Sequence, residues 1–206
     1  MASVGNLIIP EGDFEAVIFD CDGTVVDSMP AHFKAWCIAL EQHGVAGIFP
    51  EDVFYAMGGR PTTDIVETLN NEHNLALDPI SIAAAKRKAF VDNMRQIEVI
   101  DEVVDYARKV RSLGIPTAIA TGGTRLIIEQ TLRVVEVNDL FDEVVTANDV
   151  INGKPAPDIF FESARRLGAN PERCLVFEDA PAGLIGAQKA GMQTVVVPAP
   201  FRFSGA

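Results

Sequence analysis

Two aspartates separated by one residue follow directly on a short apolar run. Phe14-Glu15-Ala16-Val17-Ile18-Phe19 leads into Asp20-Cys21-Asp22-Gly23-Thr24. Carboxylates at the end of a buried segment are costly unless something compensates them. A hard divalent cation does so, and Mg2+ favours carboxylate oxygen. Gly23 lets the chain turn tightly with its backbone near a ligand. A solvated turn whose acids cap the next segment accounts for this pair equally well. Later apolar runs also end in polar groups: Thr121-Gly122-Gly123 after one, Glu178-Asp179 after another, with Gly153-Lys154-Pro155-Ala156-Pro157-Asp158 between them. Taken singly, Thr121 reads as a helix N-cap and Lys154 as a solvated loop lysine. Glu178 and Asp179 read as capping acids for the helix after Pro181. Together they require one reason why these runs end in polar groups.

Four segments have the pattern of buried strands: Phe14–Phe19, Pro116–Ala120, Cys174–Phe177 and Gln193–Val197, with Glu143–Thr146 as a weaker fifth. Helical patterns separate them at Asp101–Leu113, Thr124–Val135 and Asp158–Leu167. Three units close on glycine just before a strand, at Gly114, Gly168 and Gly191. This alternation predicts an α/β fold with a doubly wound parallel sheet. In such a sheet all strand ends fall on one edge, so Asp20, Asp22, Thr121, Glu178 and Asp179 would converge there. From Met29 to Ile97 only helical patterns occur, with helices expected at Ala31–Gln42, Thr63–Glu72 and Pro79–Met94. Roughly 70 residues is far longer than the usual 2–6-residue βα connection. The organisation expected is an α/β core from 1–28 and 98–206 with a small helical cap at 29–97. The insert leaves the carboxyl edge of the sheet, where ligands bind in open parallel sheets, and so could act as a lid.

The 206 residues are 48% hydrophobic and 22% charged, an ordinary globular composition. Asp plus Glu number 29 against 17 Lys plus Arg, for a net charge of −12, which argues against broad nucleic-acid binding. An anionic substrate would then need a local cation. No apolar run reaches the roughly 18 residues of a membrane helix, and Met1–Gly12 lacks the basic and apolar regions of a secretory signal. Cys21, Cys37 and Cys174 are widely spaced, without metal-ligand pairing, and read as reduced, mostly buried thiols of a cytoplasmic protein.

The ordered set Asp20-x-Asp22-Gly23-Thr24, Thr121-Gly122, Lys154-Pro155 and Glu178-Asp179 resembles the haloacid dehalogenase superfamily along the whole chain. The stretches Gly153–Phe160 and Glu178–Gly183 are most similar to its β-phosphoglucomutase-like branch of sugar-phosphate phosphatases and mutases. The resemblance implies a Rossmann-like core and gives Asp20 the role of nucleophile, becoming an aspartyl-phosphate. It gives Asp22 the role of general acid and then base. It implies that Thr121 and the backbone at Gly122 bind the phosphoryl group and that Lys154 neutralises charge. Mg2+ would be held by Asp20, the backbone carbonyl of Asp22 and Asp179, with Glu178 in support. Asp22 argues against dehalogenation, since family dehalogenases usually lack that second aspartate.

On the substrate side, Pro30–Trp36 resembles a segment of sugar-phosphate members whose histidine, here His32, couples substrate to lid closure. A lid helix with a core tryptophan and a surface histidine explains the same residues. Gly58-Gly59-Arg60-Pro61 opens an insert helix and could present Arg60. Lys88 sits where mutases keep a substrate lysine, within an otherwise ordinary charged face. Arg125 could meet phosphate or merely cap a helix. Mutases of this branch grip a distal phosphate with an arginine about three residues after the insert's glycine. An ungapped alignment puts Thr62 at that place. That favours a Mg2+-dependent phosphatase of a small sugar phosphate over a phosphomutase using the same intermediate. A receiver-like signalling module shares the acid, threonine and lysine but lacks a long insert. A silent binding protein has no missing catalytic residue in its favour. Ala180-Pro181 departs from the serine that often follows the acidic pair. The short stretch after Val197 reads as lacking a terminal strand or helix. A monomer or weak dimer is expected, with no membrane or nucleic-acid partner.

Overall fold

A computed structural model describes residues 2–57 and 60–198. Met1, Gly58, Gly59 and the residues after Pro198 lie outside the described residues. The chain divides into two compact units, one formed by 1–27 with 98–206 and the other by Ser28–Ile97.

The first unit is built on five parallel strands: β3 (Ala16–Phe19), β6 (Thr117–Thr121), β7 (Glu143–Thr146), β8 (Cys174–Glu178) and β9 (Gln193–Val196). Their order is β7-β6-β3-β8-β9. β3, β6 and β8 are buried at every position, which is why they read as unbroken apolar runs rather than alternating ones. The chain builds outward from β3 through β6 to β7, then returns to place β8 on the other side of β3. The order therefore reverses between β3 and β8, the switch point where parallel α/β sheets open a crevice. Phe19 is in register with Phe177 across that pair, and their rings stack at 4.9 Å.

The helices α5 (Asp101–Ser112), α6 (Arg125–Val134), α7 (Asp158–Leu167) and α8 (Pro181–Lys189) connect the strands. α5 begins with Asp101 and Glu102 and ends with Lys109 and Arg111, matching the helix dipole at both ends. Its buried stripe, Val103, Val104, Ala107 and Val110, has helical spacing. The glycines after α5, α7 and α8 all hold positive φ.

Two small antiparallel pairs add to the sequence reading. β1 (Ala2–Val4) pairs with β2 (Leu7–Ile9), and β4 (Val26–Asp27) pairs with β5 (Glu98–Val99). Both are too short to show a periodic signal. The β4–β5 ribbon joins the two places where the chain leaves and re-enters the first unit.

The second unit holds four described helices rather than three: α1 (Met29–Gln42), α2 (Glu51–Ala56), α3 (Thr62–His73) and α4 (Pro79–Asn93). The extra helix, α2, has only six residues, under two turns, and leaves no readable stripe. Trp36, Leu40, Phe49, Phe54, Ile65, Val66, Leu69 and Ile82 form this unit's own core. Asp78 caps α4 by accepting from the amides of Ile80 and Ser81. Among the described residues, no helix is long and apolar enough to cross a membrane.

Candidate active site

The acids come together because β3 and β8 are parallel neighbours in register. Asp20 follows Phe19 as Glu178 follows Phe177, and the Asp20 amide donates to the Phe177 carbonyl at 2.9 Å. Both side chains are buried, at 6% and 1% exposure. Lys154, from the loop between β7 and α7, brings its Nζ between them, 2.7 Å from Asp20 Oδ1 and 2.6 Å from Glu178 Oε2. The Lys154–Pro155 peptide is cis. Glu178 Oε1 accepts from the Ala180 amide at 2.9 Å, so both its oxygens are engaged.

After Asp20 the chain closes a tight loop. The Cys21 carbonyl accepts from the amides of Thr24, Val25 and Val26, and the Gly23 amide donates to Val26. Asp22 stands half-buried on this loop. Thr24 donates its hydroxyl to Asp179 Oδ1 at 3.0 Å. Gly23 has φ +90, and a Cβ there would overlap the Asp179 carboxylate. Gly183, in the first turn of α8, is as constrained: a Cβ would fall on the Glu178 carboxylate. Thr24 and Gly183 lie inside the quoted motifs, yet only the folded contacts reveal what they do.

Asp20, Glu178 and Asp179 each offer an oxygen within 4.8 Å of the others. Burial raises the Asp20 pKa, and the Glu178 charge raises it further against the pull of Lys154. Burial raises Glu178 as well. Asp179 is pushed up to about 6 by burial and by Asp20. Burial disfavours the Lys154 charge, but Asp20 and Glu178 outweigh it and hold the ammonium above the usual lysine range. Three carboxylates against one ammonium leave two negative charges uncompensated in a buried place. An all-oxygen donor set with that charge fits a hard divalent cation such as Mg2+. The Asp22 carboxylate is not one of the three. Cys21, flanked by both aspartates, has its thiol pushed well up by burial and by those charges.

Thr121 ends β6 at 1% exposure, and its Oγ1 accepts from the Gly123 amide at 3.1 Å. It does not cap α6, whose N-cap is Thr124. Gly122 stands in open space beside it. Residues 14–191 match the family described as hydrolase: haloacid dehalogenase-like hydrolase. The chain belongs to that family.

Relatives of this haloacid dehalogenase-like hydrolase include a fructose-1-phosphate phosphatase of Escherichia coli (strain K12), 34% identical over 188 residues, covering 89% of this chain and 96% of the relative. Hexitol phosphatase A of the same organism is 31% identical over 199 residues, covering 89% and 82%. Among solved structures, CbbY from Rhodobacter sphaeroides in complex with phosphate superposes with a TM-score of 0.82 at 26% identity, covering 94% and 92%.

Four of the remaining sequence candidates take partners inside the helical unit. His32 on α1 stacks on Phe90 of α4, with ring centroids 4.0 Å apart and planes 9° apart. Trp36 is a core residue, 1% exposed, with Lys86 Nζ 5.7 Å above its ring. Arg60 folds back along α3, donating to Thr68 Oγ1 at 2.9 Å. Lys88 pairs with Asp92 on the surface of α4. Arg125, read from sequence as a phosphate ligand or helix cap, lies outside that unit and bonds its guanidinium to Asp149.

Proposed function

We propose that this hydrolase is a Mg2+-dependent phosphatase of small phosphate monoesters, sugar phosphates above all, working through an aspartyl-phosphate on Asp20. The observation that carries this reading is the Lys154 ammonium held between Asp20 and Glu178, beside Asp179, at the switch point of the sheet. The sugar-phosphate phosphatases among the relatives support the substrate class.

Asp20 is a carboxylate whose approach to a phosphoryl group is opposed by like charge. Lys154 removes part of that repulsion from a fixed position. A bound Mg2+, held by Asp20, Asp179 and the Asp22 carbonyl with Glu178 in support, would screen the rest as a Lewis acid. An Asp20 oxygen bonds to phosphorus as the ester P–O bond breaks, and Asp22 gives its proton to the departing alkoxide. Ionised Asp22 then takes a proton from water, whose oxygen bonds to phosphorus and breaks the bond to Asp20. Inorganic phosphate leaves, and both aspartates are restored. The Thr121 hydroxyl hydrogen and the Gly122 amide are the donors for the phosphoryl oxygens.

Of the helical unit's residues, His32, Arg60 and Lys88 are the candidates to contact the alcohol part of the substrate. The Lys88–Asp92 pair is exposed and of the i,i+4 kind, worth about 0.3–0.5 kcal/mol, so releasing Lys88 costs little. The three cysteines are free, which supports a cytoplasmic enzyme. The test is hydrolysis of a phosphate-ester panel in Mg2+, resolved by 31P NMR. The panel holds fructose 1-phosphate, 6-phosphogluconate, both glucose 1-phosphate anomers and glycerol phosphate. Inorganic phosphate from one or a few esters, lost in Asp20→Asn, is expected. Glucose 6-phosphate from the β anomer with little free phosphate would replace this reading with the phosphomutase.

A further inference from the structure

We propose that Asp149 is a positioning residue: it locks the loop that carries Lys154 to the loop that carries Thr121, and so sets where the Lys154 ammonium stands. The link to turnover rests on the function proposed above. The placement of Lys154 does not.

Asp149 lies outside the motifs read from the sequence and is not one of the three clustered carboxylates, yet it is one of the most heavily bonded side chains among the described residues. Its Oδ2 accepts from both the amide and the hydroxyl of Thr146, each at 2.8 Å. Arg125 donates to both of its oxygens, at 2.9 and 2.7 Å, and Arg166 donates to Oδ1 at 2.8 Å. These bonds hold its carboxyl well below the usual carboxylate range despite burial.

The partners flank the Lys154 segment on both sides, at Thr146 and Arg166, and follow the Thr121 loop, at Arg125. Thr146 is in register with Thr121 across β6 and β7, so the Thr146–Asp149 turn starts beside the phosphoryl-binding threonine. Arg125 opens α6, immediately after Thr121-Gly122-Gly123-Thr124. Two further bonds tie the same segments: the Ala147 amide to the Gly123 carbonyl, and the Arg125 amide to Asn148 Oδ1. Arg166 stands near the end of α7, beyond Lys154, and returns to Asp149, which precedes Lys154 by five residues. The stretch from Asp149 to Arg166, which contains both Lys154 and α7, is thereby closed on one carboxylate. Arg125 and Arg166 also meet at the Val144 carbonyl, at 3.0 and 3.4 Å. Within the span so fixed, Ala156 donates to the Gly153 carbonyl and Asn152 to Asp158. Catalysis that depends on a preorganised cation requires this placement, because a displacement near 1 Å can cost about a hundredfold in rate.

The test is competitive acetylation of the metal-free protein with deuterated acetic anhydride at pH 8, read lysine by lysine by mass spectrometry, beside steady-state kinetics. Lys154 should react slowly in the wild type. In Asp149→Ala it should react at least about tenfold faster, with the exposed lysines and the buried Cys21 and Cys174 thiols unchanged. kcat should fall at least about tenfold with KM within about threefold. Asp149→Asn keeps an acceptor for Thr146 but loses the charge that holds the arginines, and it carries the same test if the alanine variant fails to fold. Unchanged Lys154 labelling overturns the proposal, as does labelling that rises together with both buried thiols, or a normal kcat with Lys154 released. A wild type that hydrolyses no ester removes the phosphatase reading, and the labelling then still decides what holds Lys154.

Discussion

Replacing Lys154 with methionine keeps the length of the side chain and removes its charge, leaving Asp20 and Glu178 side by side in a buried place. In the wild type the ammonium touches both, at 2.7 and 2.6 Å, and is only 12% exposed. At an effective dielectric near 20, each contact is worth about 6 kcal/mol before desolvation is subtracted. Breaking a buried pair by removing one partner typically costs about 3–5 kcal/mol net. For a chain of 206 residues, each kcal/mol lowers the melting temperature by about 2–4 °C. Lys154→Met should therefore melt about 10 °C lower at pH 7.5 without metal. The loss has a defined pH sense. Acids whose folded pKa is raised destabilise the fold as pH climbs through the interval between their unfolded and folded values. Without Lys154 that interval widens, so lowering the pH from 7.5 to 5.5 lets the carboxylates protonate and should return part of the lost stability. In Mg2+ the variant should lose about 10²–10³ in kcat, the usual cost of removing one preorganised electrostatic contact from a transition state. Thermal unfolding at the two pH values and initial rates on the best ester measure all three effects. A melting temperature within about 2 °C of wild type at pH 7.5, or a kcat within threefold of it, would refute the assignment of Lys154 as the shared counter-charge.

Asp22→Asn should still release alcohol in a first, slow turnover and then stall, with steady-state turnover down about 10²–10⁴; rapid continued turnover would place the general acid elsewhere. Gly183→Ala sets a methyl group on the Glu178 carboxylate and should cost about 1–3 kcal/mol in urea unfolding and weaken Mg2+ binding. Wild-type stability and Mg2+ affinity in that variant would show that Glu178 has room to move. Mg2+ at a hundred times its dissociation constant should stabilise the wild type by about 2.7 kcal/mol, and Asp179→Asn should lose most of that gain in differential scanning fluorimetry. Glu162 is held down to about 2 by hydrogen bonds from Arg165 and Arg166, and Asp149 lower still. Carboxylates depressed in this way add stability above about pH 4 that disappears as pH falls through their folded values. An acid titration followed by circular dichroism should show a limb that becomes shallower in Asp149→Ala.

The parallel sheet was legible because its three central strands, β6, β3 and β8, are buried at every position and so appear as short apolar runs with acids or threonine at their ends. Which run lies beside which was not. Asp20 meets Glu178 only because β8 returns to the far side of β3, a fact of chain path that no local spacing encodes. The two-residue ribbon β4–β5 and the six-residue α2 fell below the length at which periodicity can register. The bonds of Asp149 to Arg166 and Arg125 span 17 and 24 residues between ordinary charged positions, so nothing in the sequence joins them. Arg60 and Lys88 were legible as charges, but their partners Thr68 and Asp92 stand on their own helices, and such pairings differ little from those of any solvated face.

The β4–β5 ribbon gives the chain an unusual kind of modularity. Asp27 is in register with Glu98, so the two ends of the 70-residue stretch between them meet as neighbours in an antiparallel pair. A two-residue Asn-Gly turn is enough to close such a pair. Every side chain that touches the Lys154 ammonium, and every member of the carboxylate trio, is encoded outside Ser28–Ile97. The stretch is thus a cassette: transplanting the corresponding segment from a relative would exchange it whole, leaving the chemical machinery untranslated and the splice points the same. Selection can rewrite one stretch of the gene while the other, which carries Lys154 and the carboxylate trio, stays fixed. A fold wired in this way offers protein engineers a socket with two adjacent terminals.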